Sequence, residues 1–165
     1  MEFVDIVDEN DNIVGKTSKD EAHKKGLLHR TVIAEVINSK GEWLLVQQAG
    51  HKQDAGQFVS PVGGHVSSGE TEEEALRRET SEEVGLESFL FNLKGKAIYN
   101  REVKGKKENH YFIVYEISSD ETPVLNDESV RYKWFSKEEI NKSFEENPAL
   151  FSDAFHFVWK KFYLA

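Results

Sequence analysis

Between Thr71 and Gly85 the chain spells out both ends of a helix. Thr71 with Glu74 three residues later is a capping-box pattern, and Gly85 supplies the left-handed residue that stops a helix. At 3.6 residues per turn, Leu76, Thr80 and Val84 share one face, which predicts the core side. Glu79, Glu82 and Glu83 fall at i, i+3 and i+4 on the adjoining face, within roughly 100° of arc. Like charges at this spacing destabilise an isolated helix by roughly 0.2–0.5 kcal/mol per pair. Partial burial raises that cost unless a positive charge arrives. A solvated acidic face is one reading of such a run. A hard divalent cation is the other, since Mg²⁺ takes one or two carboxylates together with phosphate oxygens. Two neighbours favour the cation. The glycine-rich turn at Gly63-Gly64 permits close backbone approach and a carbonyl ligand. Arg78, in mid-helix, can pair with Glu70 and pin the preceding loop.

Elsewhere the pattern alternates strands and turns. Phe3–Val7 reads as a strand, Asp8-Glu9-Asn10-Asp11-Asn12 as a turn and Ile13-Val14 as a return strand. Ser18 caps a short helix that Gly26 stops. Thr31–Ile37 and Trp43–Gln48 are β-branched and aromatic, with a hairpin turn at Asn38-Ser39-Lys40-Gly41. Ala49 to Gln57 reads as a loop. Further strands are expected at Phe89–Tyr99, Tyr111–Ile117 and Val130–Phe135. Ser136 with Glu139 repeats the capping box, and Asn147-Pro148 opens a last helix. That helix carries Phe151, Ala154, Phe155, Val158 and Phe162 as an apolar stripe, which predicts docking on a sheet. The order is that of an α+β fold, an α/β/α sandwich with a mixed central sheet flanked by helices.

Composition narrows the function. With 165 residues and no repeat or linker, one domain over residues 1–165 is expected. No apolar run reaches the ~20 residues of a membrane helix, and the acidic start MEFVDIVDEN lacks the basic character of a signal peptide. A soluble cytoplasmic protein is therefore expected. The net charge of −9 argues against nucleic acid as a partner, though a bound cation can reverse the local field for a phosphorylated small molecule. The absence of cysteine excludes a disulfide scaffold, a thiolate metal site and a cysteine nucleophile in this chain.

The stretch from Gly64 to Leu86 resembles the Nudix box: Gly, five residues, Glu, seven residues, Arg-Glu, an aliphatic, any residue, Glu-Glu, any residue, Gly, aliphatic. Here those positions are Gly64, Glu70, Arg78-Glu79, Thr80, Glu82-Glu83, Gly85 and Leu86. Thr80, smaller and more polar than the usual aliphatic, is the one departure. Trp134 to Ile140 is similar to a strand-to-helix segment common in that family. The resemblance implies a Nudix fold and hydrolysis of a diphosphate linkage in a small nucleotide-like substrate, with Mg²⁺ or Mn²⁺. It implies that Glu79, Glu82 and Glu83 are catalytic and ligate metal with the Gly64 carbonyl, and that Glu70, Arg78 and Gly85 shape the box. Which carboxylate takes the proton is not given by the box. Glu108, expected at the start of a strand, is where some Nudix enzymes place a further metal ligand or base; an exposed strand-end carboxylate is the competing reading. His65, beside Gly64, is a candidate for contact with phosphate.

The N-terminal segments Val4–Gly15, Glu21-Ala22-His23 and Leu27-Leu28-His29-Arg30 resemble the branch that includes isopentenyl-diphosphate isomerase. That resemblance implies a divalent-metal set of His23, His29, His65, Glu108 and His110. Isomerases of this branch move protons with a cysteine, which would fall at or next to Gly63, and a glutamate, at the position of His110. Both are absent here, and the box is intact, so hydrolysis is favoured over isomerisation. A catalytically idle ligand-sensing domain is the third alternative. By spacing alone, His23 and His29 read as surface or local hydrogen-bonding residues. Arg101, Lys104, Lys106 and Lys107 read as a solvated basic hairpin tip. Tyr99 and Tyr111 read as core aromatics.

Overall fold

The structure is a computed structural model that describes residues 2–103 and 105–164; Lys104, in the expected basic tip, lies outside them. The elements run β1 (Phe3–Val7), β2 (Ile13–Ser18), α1 (Lys19–Lys25), β3 (His29–Ile37), β4 (Trp43–Gln48), β5 (Phe58–Val59), β6 (Val62–His65), α2 (Glu72–Val84), β7 (Leu90–Val103), β8 (Lys106–Ser118), β9 (Ser129–Phe135), α3 (Lys137–Glu146) and α4 (Asp153–Phe162). All nine strands join one mixed sheet, giving the expected α+β class.

β3 is the spine. One edge pairs in parallel with β8 from His29↔His110 to Ile37↔Ser118. The other is shared by β1 at His29, β6 at Thr31–Ala34 and β4 at Val36–Ile37. Residues alternate across the sheet. Val32, Ala34 and Val36 face the core that contains Ala75, Leu76 and Val84 of α2. Ile33 faces a second core containing Phe155, Val158 and Trp159 of α4. Glu35 lies on that same side. Each fully buried side chain of this size contributes about 1.5–3 kcal/mol.

Both expected capping boxes form, at Thr71/Glu74 and Ser136/Glu139. Gly85 takes the left-handed conformation with φ 70°. Thr80, the departure from the aliphatic pattern, is fully buried, and its hydroxyl donates to the Leu76 carbonyl at 2.6 Å. The Thr80 hydroxyl is therefore buried with a hydrogen-bond partner.

The structure departs from expectation in three places. Residues 58–65 form two short strands, because pairing with β3 and β4 overrides the poor strand propensity of Gly63-Gly64. β7 and β8 extend through polar ends, since the hairpin satisfies backbone groups whatever the side chain. Asn147-Pro148 opens only a 3₁₀ turn, and the last helix starts at Asp153 with Ser152 as its cap. Phe151 is buried beside that helix without belonging to it, and Trp159 joins the apolar face.

Glu35 is fully buried, and the Ser60 hydroxyl donates to one carboxylate oxygen at 2.5 Å. Burial raises its pKa from 4.5 to about 7, with Glu116 adding to the effect and Ser60 opposing it. The folded chain then holds a proton that the unfolded chain releases above pH 4.5. Its contribution to stability is full below pH 4.5, falls between pH 4.5 and 7, and is flat above. The full span is about 3 kcal/mol. Glu35→Gln should gain stability relative to the parent by up to that amount between pH 5 and pH 8, measured by urea denaturation at both pH values.

Candidate functional site

Arg78 organises the box. Its Nε and Nη2 donate to the two oxygens of Glu70 at 2.9 and 3.0 Å. Nη2 also donates to the His65 carbonyl at 3.1 Å, and Nη1 to Glu79 Oε1 at 2.5 Å. Glu70 in turn accepts from the Ser67 amide at 3.0 Å. One guanidinium thus ties the loop before α2 to the helix and to the end of β6. Hydrogen bonding to Glu70 raises the Arg78 pKa, and the same bond holds Glu70 below its ordinary value.

Glu79 and Glu83 point towards β6. Gly64 lies so close to Glu79 that a Cβ there would sit 2.2 Å from its carboxylate. Glu83 Oε2 accepts from the Gly63 amide at 2.9 Å. Glu82 is the exposed member, 3.7 Å from Arg78. Burial raises the pKa of Glu79, against the pull of Arg78, and neighbouring Glu82 and Glu128 add to the rise. Burial likewise pushes Glu83 well up, with Glu79 and Glu128 adding to it. Two partly buried carboxylates that resist ionisation side by side form a donor set matched to a hard divalent cation.

On the other side of β6 the fold gathers four imidazoles. Alternation puts His65 opposite Thr31, on the face away from Gly64. His29 and His110 are register partners on β3 and β8, and α1 brings in His23. One ring nitrogen from each lies within 4.8 Å of the others. The orientation is set from behind. His29 Nδ1 meets the Leu27 carbonyl and His110 Nδ1 the Thr31 hydroxyl, both at 2.8 Å. Their Nε2 atoms are buried without a partner. The Nε2 atoms of His23 and His65 face each other at 3.3 Å. Burial depresses all four pKa values; Lys19 contributes to each, and neighbouring imidazoles reinforce the effect at His29, His65 and His110. The rings are thus held neutral, with lone pairs available. Four convergent imidazoles, two of them oriented through their far nitrogens, suit a borderline transition metal.

Glu108 stands beside this cluster and outside it. Its oxygens accept from Gln53 Nε2 at 2.7 Å and Arg101 Nε at 3.2 Å. Arg101 is no solvated tip residue: its side chain is 13% exposed and pairs with Asp54 and Glu108. Tyr99 is buried and stacked on Phe112, and the Tyr111 hydroxyl donates to the Glu9 carbonyl at 3.2 Å. A cavity of about 490 Å³ joins these parts, lined by Glu79, Glu82 and Gly64 on one flank and His65, His110 and Glu108 on the other. Spacing alone does not group the four histidines, although the resemblance to the isomerase branch implied them together with Glu108; Glu128 carries no local signature, and the loop return before β9 brings it here.

Comparison with known proteins agrees with this geometry. Residues 27–155 match the NUDIX domain family model. An isopentenyl-diphosphate Delta-isomerase 2 of Photorhabdus laumondii is 30% identical, over 97% of this chain and 89% of that protein. An uncharacterized Nudix hydrolase of Nostoc sp. is 34% identical, over 76% and 75% respectively. Among solved structures, DR0079 from Deinococcus radiodurans superposes with a TM-score of 0.78 at 25% identity, covering 99% of this chain and all of that one. A MutT protein from Methanosarcina mazei gives 0.66 at 26% identity, covering 81% and 91%. The strand order, the clamped Gly64–Leu86 segment and these similarities lead to one conclusion: the chain belongs to the Nudix hydrolase family.

Proposed function

We propose that the protein is a divalent-metal-dependent pyrophosphohydrolase, one domain over residues 1–165, that cleaves a phosphoanhydride in a small nucleotide-like substrate in the cytoplasm. The observation that carries this reading is the carboxylate pair Glu79 and Glu83, packed against Gly64 and Gly63 and pushed towards protonation by burial. Glu79, Glu82, Glu83 and the Gly64 carbonyl would hold Mg²⁺ or Mn²⁺. Such an ion supplies charge neutralisation at the phosphates and a more acidic water. Arg78 keeps Glu79 turned towards β6 and holds the loop in place through Glu70. Water attacks one phosphorus, the bridging P–O bond breaks, and a carboxylate of the cluster accepts the proton. His65 borders the same cavity, beside Gly64, where phosphate would lie.

A second metal centre at His23, His29, His65 and His110 is supported by the two buried, unpartnered Nε2 atoms and by their oriented Nδ1 partners. An ion there would add a second positive charge at the cavity. Glu108, with both oxygens engaged by Gln53 and Arg101, is assigned to positioning Arg101 beside that centre. The relative named as an isomerase makes isomerisation the alternative to test. The chain has no cysteine, and His110 stands where the isomerase glutamate would be, so hydrolysis is favoured.

Three outcomes are expected. Across nucleoside triphosphates, dinucleoside polyphosphates, nucleotide sugars, ADP-ribose, NADH and isopentenyl diphosphate, Mg²⁺-dependent cleavage should appear for at least one compound. Glu83→Gln should lower that rate by about 10²-fold or more; conversion of isopentenyl diphosphate without cleavage would reverse the assignment. Gly64→Ala should displace the Glu79 carboxylate and cost about 10²-fold in kcat, with the thermal melt recorded as a folding control. Co²⁺ should give visible d–d absorption that His29→Gln and His23→Gln abolish and Glu83→Gln leaves in place. Persistence of the bands in both histidine variants would remove the imidazole site.

A further inference from the structure

Glu35 has no part in the chemistry derived above, yet it is fully buried within β3. A carboxyl group there works against folding unless it is protonated or paired. The Ser60 hydroxyl donates to Oε1 at 2.5 Å, and Oε2 is buried with no partner. Ser60 belongs to the turn between β5 and β6. It lines a second cavity, of about 130 Å³, which Glu83 and Gly63 of the box region also line. Ile33, Asp54, Gly63 and Ala154 border both this space and the larger cavity. With Glu83, Asp54 and Ser60 on its wall, the smaller cavity is polar and roomy enough to hold ordered water. Water and one hydroxyl thus connect the box to Glu35.

The surroundings of Glu35 let it exchange a proton near neutrality. Glu116 of β8 is its register partner, and Tyr163 follows the end of α4 on the same side of the sheet. Burial, with Glu35 and Glu116 adding to it, keeps the Tyr163 hydroxyl protonated. Lys94 of β7 stands 4.0 Å from Glu116 and 4.9 Å over the Tyr163 ring. Burial places the Glu35 pKa at about 7, with Glu116 adding to the rise and Ser60 opposing it. Near that pH the group both takes up and releases a proton.

We propose that Glu35, reached through the Ser60 hydroxyl and water in the smaller cavity, stores the proton released by hydrolysis at the box. The inference rests on the hydrolase reading of that site. As the attacking water bonds phosphorus, it gives up a proton to the box, and cavity water carries it towards Ser60. The Ser60 hydroxyl proton passes to Glu35 Oε1 and is replaced from the cavity, so the carboxylate becomes a neutral acid. After the product leaves, the proton returns to solvent by the same route. Glu35 touches no substrate and acts through Ser60. A merely structural bond is separable, because Glu35→Gln keeps an oxygen that accepts from Ser60 and loses only the titration.

Single-turnover cleavage of a compound from the panel is followed from about pH 5 to pH 9, in H₂O and D₂O, with thermal melts as folding controls. Glu35→Gln should lose about tenfold or more in rate above pH 7, lose the inflection near pH 7, and show a larger solvent isotope effect. Ser60→Ala should behave alike. A parent-like rate and profile in Glu35→Gln overturn the proposal. Loss in Ser60→Ala alone also overturns it and assigns the bond to holding β6. Infrared spectra supply a readout free of turnover. The carboxyl band that Glu35→Gln removes should fade near pH 7 and shift on mixing with D₂O, and Ser60→Ala should slow that shift. Slow exchange in the parent overturns the water path. If the parent cleaves no compound, the hydrolase reading fails and the relay with it; cleavage with an unaltered Glu35→Gln profile removes the relay alone.

Discussion

The Arg78 guanidinium is the contact on which the rest of the site depends. It holds both oxygens of Glu70, one oxygen of Glu79 and the carbonyl of His65. A loop, a helix and a strand end thereby share one charged centre. A flexible lysine could not fill this place, because the planar fork meets Glu70 bidentately and still has donors for two further partners. With that clamp in place, α2 lies close enough to β6 that Gly64 has no room for a side chain. The same approach brings Glu79 and Glu83 out of bulk water, and burial then makes them poor homes for lone negative charge.

β6 separates two chemistries with four residues. Its Gly63 amide and Gly64 backbone serve the carboxylates of α2, while His65 turns to the opposite face and joins three imidazoles from α1, β3 and β8. The carboxylates of Glu79 and Glu82 and the imidazoles of His65 and His110 thus line one cavity. Arg101, Glu108, Gln53 and Asp54 form a polar seam that fastens the 49–57 loop beside the imidazoles. Lys52 and Glu128 fasten the same loop beside the carboxylates. Lys52, Gln53 and Asp54 of this loop line the cavity.

The chain is similar both to a protein named isopentenyl-diphosphate isomerase and to a Nudix hydrolase. In the sequence, the N-terminal segments and the histidines resemble the isomerase branch and the box resembles the Nudix hydrolases, while the isomerase relative itself matches over 97% of the chain. A shared scaffold does not transmit an activity, which resides in the reacting groups. The box carboxylates are the groups proposed to act here, and the chain has no thiol to move protons on carbon.

Local chemistry in the sequence determined the helix ends, because a capping box and a left-handed glycine act within a few residues. It also determined the face on which Glu79, Glu82 and Glu83 lie, because helical period needs no partner to read. The pairing of Arg78 with Glu70 was legible as an ion pair that pins the preceding loop to the helix. The resemblance to the isomerase branch grouped His23, His29, His65 and His110 with Glu108, whereas their spacing did not; tertiary structure brings the four together and leaves Glu108 out, through the parallel register of β3 with β8 and the seating of α1. It decided that residues 58–65 become strands, through pairing with β3 and β4. It also brought Glu128 to the carboxylates and turned Glu108 towards Arg101. Short-range hydrogen bonding is written in adjacent letters. Contacts between distant segments are set by sheet register and packing, which no local pattern encodes.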